Sequence, residues 1–314
     1  MARTVKKVSI RDVAAVAGVS TATVSNVLSG KKAVKSELQE KVHEAANKLG
    51  YEVDRAASLL RSGRSNIIAV IVPDLEDLFL TRLVALMEAR AQNAGYEVIV
   101  TCSRNDPAVE RSRLRALLAW RPAGIFAVPC GDTLPEELTE KNNGTPVVGA
   151  DRILPDQTPF DSVTLDNQGS GKMVAQLLLE KNAKSILFVA ATLNLFTIRE
   201  RVKGARDALK DDSQATLDVL EIGTDPADGA KLVSDWLEHR AVPDAVIAGT
   251  NVGTLAVLSA FAERQLDTPD DVLLVGFHDS LWMTARRRPV TTVAQPVDAV
   301  AKYAWERLER RMAG

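Results

Sequence analysis

From Ile67 onward the sequence repeats one pattern, a short continuous apolar run followed by an amphipathic helical stretch. The runs are Ile67–Val72, Glu97–Thr101, Gly124–Val128, Val147–Ala150, Ser185–Ala190, Leu217–Glu221, Ala245–Ala248 and Val272–Val275. Helical periodicities lie between most of them, for example Leu83, Leu86, Met87 and Ala91. Continuous apolar strands separated by helices pair in parallel, because helices can then cover both faces of the sheet. About eight such strands exceed what one simple sheet usually holds. The pattern predicts an α/β body of two doubly wound parallel-sheet lobes, with a cleft at the carboxyl ends of the strands. Aromatic residues make up only 4% of the chain, so aliphatic side chains must supply most of the core.

The first fifty residues follow a different period. Ser9 and Asp12 form a capping-box pair, and Ile10, Val13, Ala14 and Ala17 then recur at helical spacing. Gly18 supplies the left-handed residue that ends a helix, and Ser20 is placed to cap a second one running to about Leu28. Val24, Val27 and Leu28 give this second helix an apolar face, which leaves Thr21, Ala22, Ser25 and Asn26 on or near the other. A third helix, expected to be capped by Ser36 with Gln39 three residues on, carries Leu38, Val42, Ala45 and Leu49 and stops at Gly50. Three short helices at this spacing predict a small all-α helix-turn-helix head. Hydroxyls and an amide on its second helix suit phosphates and base edges in a major groove.

Charge divides along the same boundary. The formal net charge is only −2, but residues 1–65 hold twelve Lys and Arg against six Asp and Glu, a balance of +6. The remainder carries −8. A basic head on an acidic body predicts a polyanionic partner for the head alone.

Several classes are disfavoured. No apolar run reaches the roughly 18 residues of a membrane helix, and no signal-peptide stretch opens the chain, which predicts a cytoplasmic protein without membrane association. Two cysteines, Cys102 and Cys130, cannot make a disulfide framework, and are expected to be small buried hydrophobes. Residues 167–172 faintly suggest a phosphate loop, but Asp166 replaces the first glycine and Met173 the magnesium-binding hydroxyl. Neither Gly-x-Ser-x-Gly nor His-Glu-x-x-His occurs, and His43, His239 and His278 are scattered. The sequence predicts no catalytic residues, no metal site and no cofactor.

The run Val-Ser-Thr-Ala-Thr-Val-Ser-Asn-Val-Leu-Ser-Gly at 19–30, with Leu49-Gly50-Tyr51, closely resembles the LacI/GalR family of bacterial transcription regulators. Further landmarks extend the resemblance over nearly the whole chain: Pro73-Asp74, Asp77 to Phe79, Asp151-Arg152, Asp166-Asn167, Arg201 to Gly204, Gly276 to Asp279 and Pro289 to Thr292. It implies a helix-turn-helix domain over 1–53, a hinge helix or linker over 54–65 and a periplasmic-binding-protein-like effector and dimerisation domain over 66–314. Its N-lobe would comprise about 66–163 plus 292–314, and its C-lobe about 164–291. The implied crossings lie near Ser162–Leu165 and Thr291–Ala294.

The resemblance further implies that Thr21, Ala22 and Asn26 read bases, while Ser20, Thr23 and Ser25 contact the DNA backbone. Family members often have a larger polar residue at the second position and Arg at the sixth. Ala22 offers only a methyl contact and Asn26 could pair with adenine, so the operator is expected to depart from the commonest family sequence. Ala57 and Leu60 fall at the hinge, where paired helices of a dimer enter the minor groove and a leucine wedges open a base step. This chain has Val53-Asp54 where the family usually has Pro-Asn. Asp77, Phe79, Asp151, Arg201, Asn251, His278 and Trp282 are implied effector contacts. Asn251 and His278 stand where the family usually has aspartates, and His278 is expected to titrate near neutrality. Beyond a helix over Val297–Met312 the family usually has another strand, which this sequence does not contain. The expected protein is a dimeric repressor of a palindromic operator in double-stranded DNA, associated with the bacterial nucleoid. A small-molecule effector, a sugar or sugar phosphate by family habit, would control it. A nucleoside-type ligand and a plain solute-binding protein are the alternatives.

Overall fold

Local capping chemistry starts the head. The backbone N–H and hydroxyl of Ser9 both donate to Asp12 Oδ2, at 2.8 and 2.7 Å, opening helix α1 (Ile10–Ala17). Gly18 ends it at φ 67°, and Ser20 Oγ accepts the Thr23 N–H at 3.0 Å to open α2 (Thr21–Ser29). Helix α3 (Ser36–Leu49) corrects one expectation. Ser36 is its first helical residue and Lys35 holds the cap position, while Gln39 donates instead to the Val34 carbonyl at 2.9 Å. The three helices bury Val13, Ala14, Val24, Val42, Ala45 and Ala46 against one another, so the helix-turn-helix head has its own core. The computed structural model describes residues 8–29, 34–51, 65–136, 138, 144–154, 160–210 and 214–314. The chain forms two compact units, 1–65 and 66–314.

The second unit contains two five-stranded parallel sheets. In the N-lobe, β1 (Ile67–Val72), β2 (Glu97–Cys102), β3 (Gly124–Ala127), β4 (Val147–Ala150) and β5 (Asp161–Val163) lie in the order β2-β1-β3-β4-β5. Helices α4 (Leu78–Asn93) and α5 (Pro107–Ala119) connect the first three. In the C-lobe, β6 (Ser185–Ala190), β7 (Thr216–Glu221), β8 (Ala245–Ala248), β9 (Leu273–Phe277) and β10 (Thr291–Val293) lie in the order β7-β6-β8-β9-β10. Its helices are α6 (Asn167–Glu180), α7 (Phe196–Leu209), α8 (Pro226–Glu238), α9 (Asn251–Glu263) and the single turn α10 (Leu281–Thr284). Helix α11 (Val297–Ala313) then returns to the N-lobe, where Val300, Ala301, Ala304, Trp305 and Leu308 pack on one sheet face with α4.

Both sheets are covered on both sides, which is why their inner strands are almost continuously buried and apolar. On β1, Ile68, Val70 and Val72 join the core beneath α4 and α11, while Ala69 and Ile71 join the core beneath α5. All eight apolar runs form strands, within one or two residues of the expected ends. β5 and β10 were not among them. Each is three residues long, half-exposed at a sheet edge, and lies at an expected crossing, so neither has an apolar period to reveal it. In the C-lobe, α6 and α7 cross with their backbones nearly touching. A Cβ on Gly171 would lie 2.0 Å from the Arg201 carbonyl oxygen, and one on Gly204 1.9 Å from that of Gln168.

Candidate functional site

On the head, the second helix turns Val24 into the core and leaves Thr21 and Ala22 exposed, with Thr23, Ser25 and Asn26 half-buried. Ala22 and Asn26 are one turn apart and share a face. The hydroxyls of Ser20 and Thr23 lie 2.9 Å apart at the helix start. Ala57 and Leu60 of the expected hinge fall within 52–64, outside the described residues.

In the body, the carboxyl ends of both sheets converge on a cavity of about 60 Å³. From the N-lobe it is lined by Asp74 beyond β1, Asp77 and Phe79 at the start of α4, Asn105 beyond β2, and Asp151 and Arg152 beyond β4. From the C-lobe come Thr197 and Arg201 of α7, Thr224 beyond β7, Thr250 and Asn251 at the start of α9, and His278 beyond β9. Gln295 follows β10. This is the position at which doubly wound sheets bind ligands.

Burial dominates the electrostatics of both walls. Asp77 caps α4, its Oδ1 accepting from Phe79 N–H at 2.8 Å and Leu80 N–H at 3.3 Å. Its carboxyl is nonetheless held above the usual carboxylate range by burial. Asp151, at φ 61°, is also raised by burial, against the opposing pull of Arg152 and Arg201. The Arg201 guanidinium is buried. Nε donates to Asn167 Oδ1 at 3.0 Å and Nη1 to the Gly249 carbonyl at 2.6 Å, and its carbon lies 4.3 Å from the Phe277 ring centroid. Burial lowers it to about 10, with Asp151 and Asp77 opposing. Arg152 Nη1 donates to Asn105 Oδ1 at 2.8 Å.

His278 corrects the expectation of a group titrating near neutrality. Its ring meets Phe79 edge-on, at 5.3 Å between centroids and 76° between planes. Burial first, then the fields of Arg201 and Arg152, lower it to about 3, so the imidazole is neutral throughout the physiological range. Its Nδ1 and the Oε1 of Gln295 are buried without a hydrogen-bond partner among the described residues. Asn105, Asp151 and His278 all have positive φ, at 54°, 61° and 72°. Such backbone is costly outside glycine and tends to gather at functional sites.

Six of the seven expected effector residues thus share one cavity. Trp282 does not line it; it is half-buried on α10 and packs on the C-lobe core that holds Met283 and Val290. Sequence reasoning did not assign Asp74, Asn105, Arg152, Thr197, Thr224, Thr250 and Gln295. Asp74 and Arg152 belong to the Pro73-Asp74 and Asp151-Arg152 pairs shared with the family, and Thr250 has a hydroxyl suited to cap α9, accepting the Gly253 N–H at 3.0 Å. Residues 167–172 are the opening turns of α6, with Asp166 Oδ1 accepting the Gly169 N–H at 2.7 Å. Cys130 is not an apolar filler. It is half-buried, its thiol bonds Glu110 Oε2 at 3.3 Å, and burial pushes it up to about 12. Among the described residues no His, Cys, Asp and Glu cluster suits a metal ion, and no helix is long and apolar enough to cross a membrane.

Comparison with known proteins gives consistent matches. Residues 9–54 match the model of bacterial regulatory proteins of the lacI family, and residues 68–286 that of the periplasmic binding protein domain. The catabolite control protein A of Priestia megaterium is 31% identical over 97% of this chain and 92% of its own length. The fructose operon regulatory protein of Vibrio cholerae is 29% identical over 94% of this chain and 91% of its own. A crystal structure of the lac repressor dimer bound to operator and the anti-inducer ONPF superposes with a TM-score of 0.85 at 25% identity. It covers 98% of this chain and 94% of that one.

Proposed function

The chain belongs to the lacI family of bacterial regulatory proteins, and from that premise we propose a dimeric, cytoplasmic repressor gated by a small polyol in the interlobe cavity. It is a DNA-binding transcriptional regulator by family. The finer reading rests on one observation: the carboxyl ends of both sheets meet around a single polar cavity that neither lobe could build alone. The carboxylates of Asp74, Asp77 and Asp151 accept from hydroxyls, the guanidiniums of Arg152 and Arg201 donate to them, and Phe79 offers an apolar face to a ring. A sugar is favoured by these groups and by relatives named for fructose and catabolite control. The described residues around the cavity offer donors, acceptors and a ring face suited to binding.

A cavity of about 60 Å³ holds a few water molecules. Seating a sugar there is proposed to part the lobes or turn the lining side chains. A ligand with unequal affinity for two lobe arrangements shifts their populations, which is sufficient for control. The proposed output is the segment at 54–65, with Ala57 and Leu60 against the minor groove and Thr21, Ala22 and Asn26 reading the major groove.

A thermal-shift screen of sugars, sugar phosphates and nucleosides tests the cavity, because binding stabilises as RT ln(1 + [L]/Kd). Stabilisation by a sugar that Arg201→Met abolishes is the expected result; stabilisation by nucleosides alone would overturn the polyol reading. On a selected palindromic duplex, Thr21→Ala and Asn26→Ala should each cost about 1–3 kcal/mol at particular base pairs. Uniform weakening over all sequences would place those side chains on phosphate. Loss of all preference over random DNA, with no salt slope, would favour a plain solute-binding protein.

A further inference from the structure

Five helices of the body carry their own N-caps. Asp77, Asp106, Asp166, Asp225 and Thr250 each accept backbone N–H bonds in the first turn of α4, α5, α6, α8 and α9. Helix α7 does not. Its cap position is Leu195, whose side chain has no acceptor, and a helix start left this way has orphan donors. The acceptor comes from the other lobe. Phe196 N–H donates to Asp132 Oδ1, and Arg199 Nη2 donates to Asp132 Oδ2. Asp132 belongs to the N-lobe loop beyond β3, where its own carbonyl accepts the Leu154 N–H at 3.1 Å. Arg199 is aimed by its second nitrogen, which donates to the carbonyls of Leu193 and Asn194 at 3.0 and 2.8 Å.

Neither Asp132 nor Arg199 lines the cavity, yet α7 carries Thr197, Ile198 and Arg201 into it. One N-lobe carboxylate thus holds the end of the C-lobe helix that forms much of the opposite cavity wall. We propose that Asp132 and Arg199 are positioning residues, an interlobe latch that sets the resting width of the cleft from outside the ligand site. A carboxylate at a helix start also meets the positive end of the helix dipole, so the cap and the ion pair act in the same direction. The pair is releasable. Arg199 is 40% exposed, and on opening, water can solvate the Phe196 N–H and both charges. A ligand that widens the cleft must break the latch; one that fits the closed cleft finds it already formed. That consequence for regulation rests on the proposed function, whereas the latch itself does not.

The test uses the full chain without ligand. Spin labels on ketone-bearing amino acids at exposed Trp120 and Val242 report the interlobe distance and leave both cysteines native, while hydrogen exchange reports the Phe196–Ile198 amides. Asp132→Ala is expected to raise the open population roughly three- to tenfold, the range of one cap and one half-exposed ion pair, and to speed exchange at Phe196 similarly. Asp132→Asn keeps an acceptor for Phe196 and loses the charge, so it should shift the distances less. On an Arg199→Ala background the Asp132 changes should add less than they do alone. Unchanged distances and exchange in folded Asp132→Ala, or strictly additive effects, would overturn the latch. Should the alanine variant fail to fold, unchanged distances in Asp132→Asn would do the same. A failed latch leaves the thermal-shift screen untouched, and a screen without hits leaves these distances standing.

Discussion

The two lobes of the body share a topology and differ in chemistry. Each places its second strand at one edge, its first beside it, and the remaining three in succession. At the same sheet ends, however, the N-lobe presents three carboxylates, Asp74, Asp77 and Asp151, with Arg152 and Phe79. The C-lobe presents hydroxyls, an amide and a neutral imidazole around Arg201. A repeated fold fixes where a ligand can sit without fixing what is asked of it. The choice is made by single residues just past the strand ends, where backbone packing constrains the side chain least.

The largest effect should come from removing the one guanidinium of the C-lobe wall. Arg201→Met leaves the Asp151 carboxyl buried without that counter-charge and strips the Gly249 carbonyl of its donor. Breaking such a buried arrangement costs about 3–5 kcal/mol, measurable by urea denaturation at pH 7. A change within about 0.5 kcal/mol would mean that the buried guanidinium adds no net stability to this wall.

pH separates the walls next, because their shifts have opposite signs. His278 has a folded value of about 3 against 6.5 unfolded, so its contribution is complete above pH 6.5 and is lost as pH falls toward 3. His278→Asn should therefore flatten the acid loss of stability in that window, by about 2–4 kcal/mol once partial exposure of the ring is allowed for. Asp77 and Asp151 are raised, so their contribution is present below about pH 3.8 and fades as pH rises through the folded values. Asp151→Asn should remove part of that fade, seen as a shallower fall in urea midpoint from pH 4 upward. Equal pH profiles in the His278 and Asp151 variants would dissolve the contrast between the walls.

The smallest effect concerns the contact that joins them. Phe79→Leu should cost about 0.5–1.5 kcal/mol through loss of the edge-on ring contact, beyond its change in buried area. In a double-mutant cycle with His278→Asn that part should vanish. Full additivity would show that the rings are neighbours without being partners.

Much of this was legible in sequence because it follows local periods. The β1 run is apolar on every residue and the β6 run on every residue after Ser185, so they read as buried strands, and Ser9, Gly18 and Ser20 spell the head's helix starts and stops. Six cavity residues were reachable by resemblance alone. What escaped depends on distant neighbours. His278 titrates far from neutrality because of burial and two arginines, Arg152 and Arg201, that no local pattern brings to it. Leu195 looks like an ordinary apolar residue until Asp132 meets the N–H beside it. Trp282 sits close to His278 in sequence, but α10 turns it onto the core. The edge strands β5 and β10 are too short to have a period at all.

Helix α11 has a consequence for the order in which the protein can be made. A chain emerging from the ribosome exposes the N-lobe strands early, yet one face of their sheet waits for Val300, Ala301, Ala304, Trp305 and Leu308, which are synthesised after the whole C-lobe core. The C-lobe draws every residue of its two cores from 174–290 and can close while α11 is still unmade. The lobe begun first is therefore finished second. Until then the apolar N-lobe face, with Phe79, Phe126 and Val148, is the surface most in need of a chaperone.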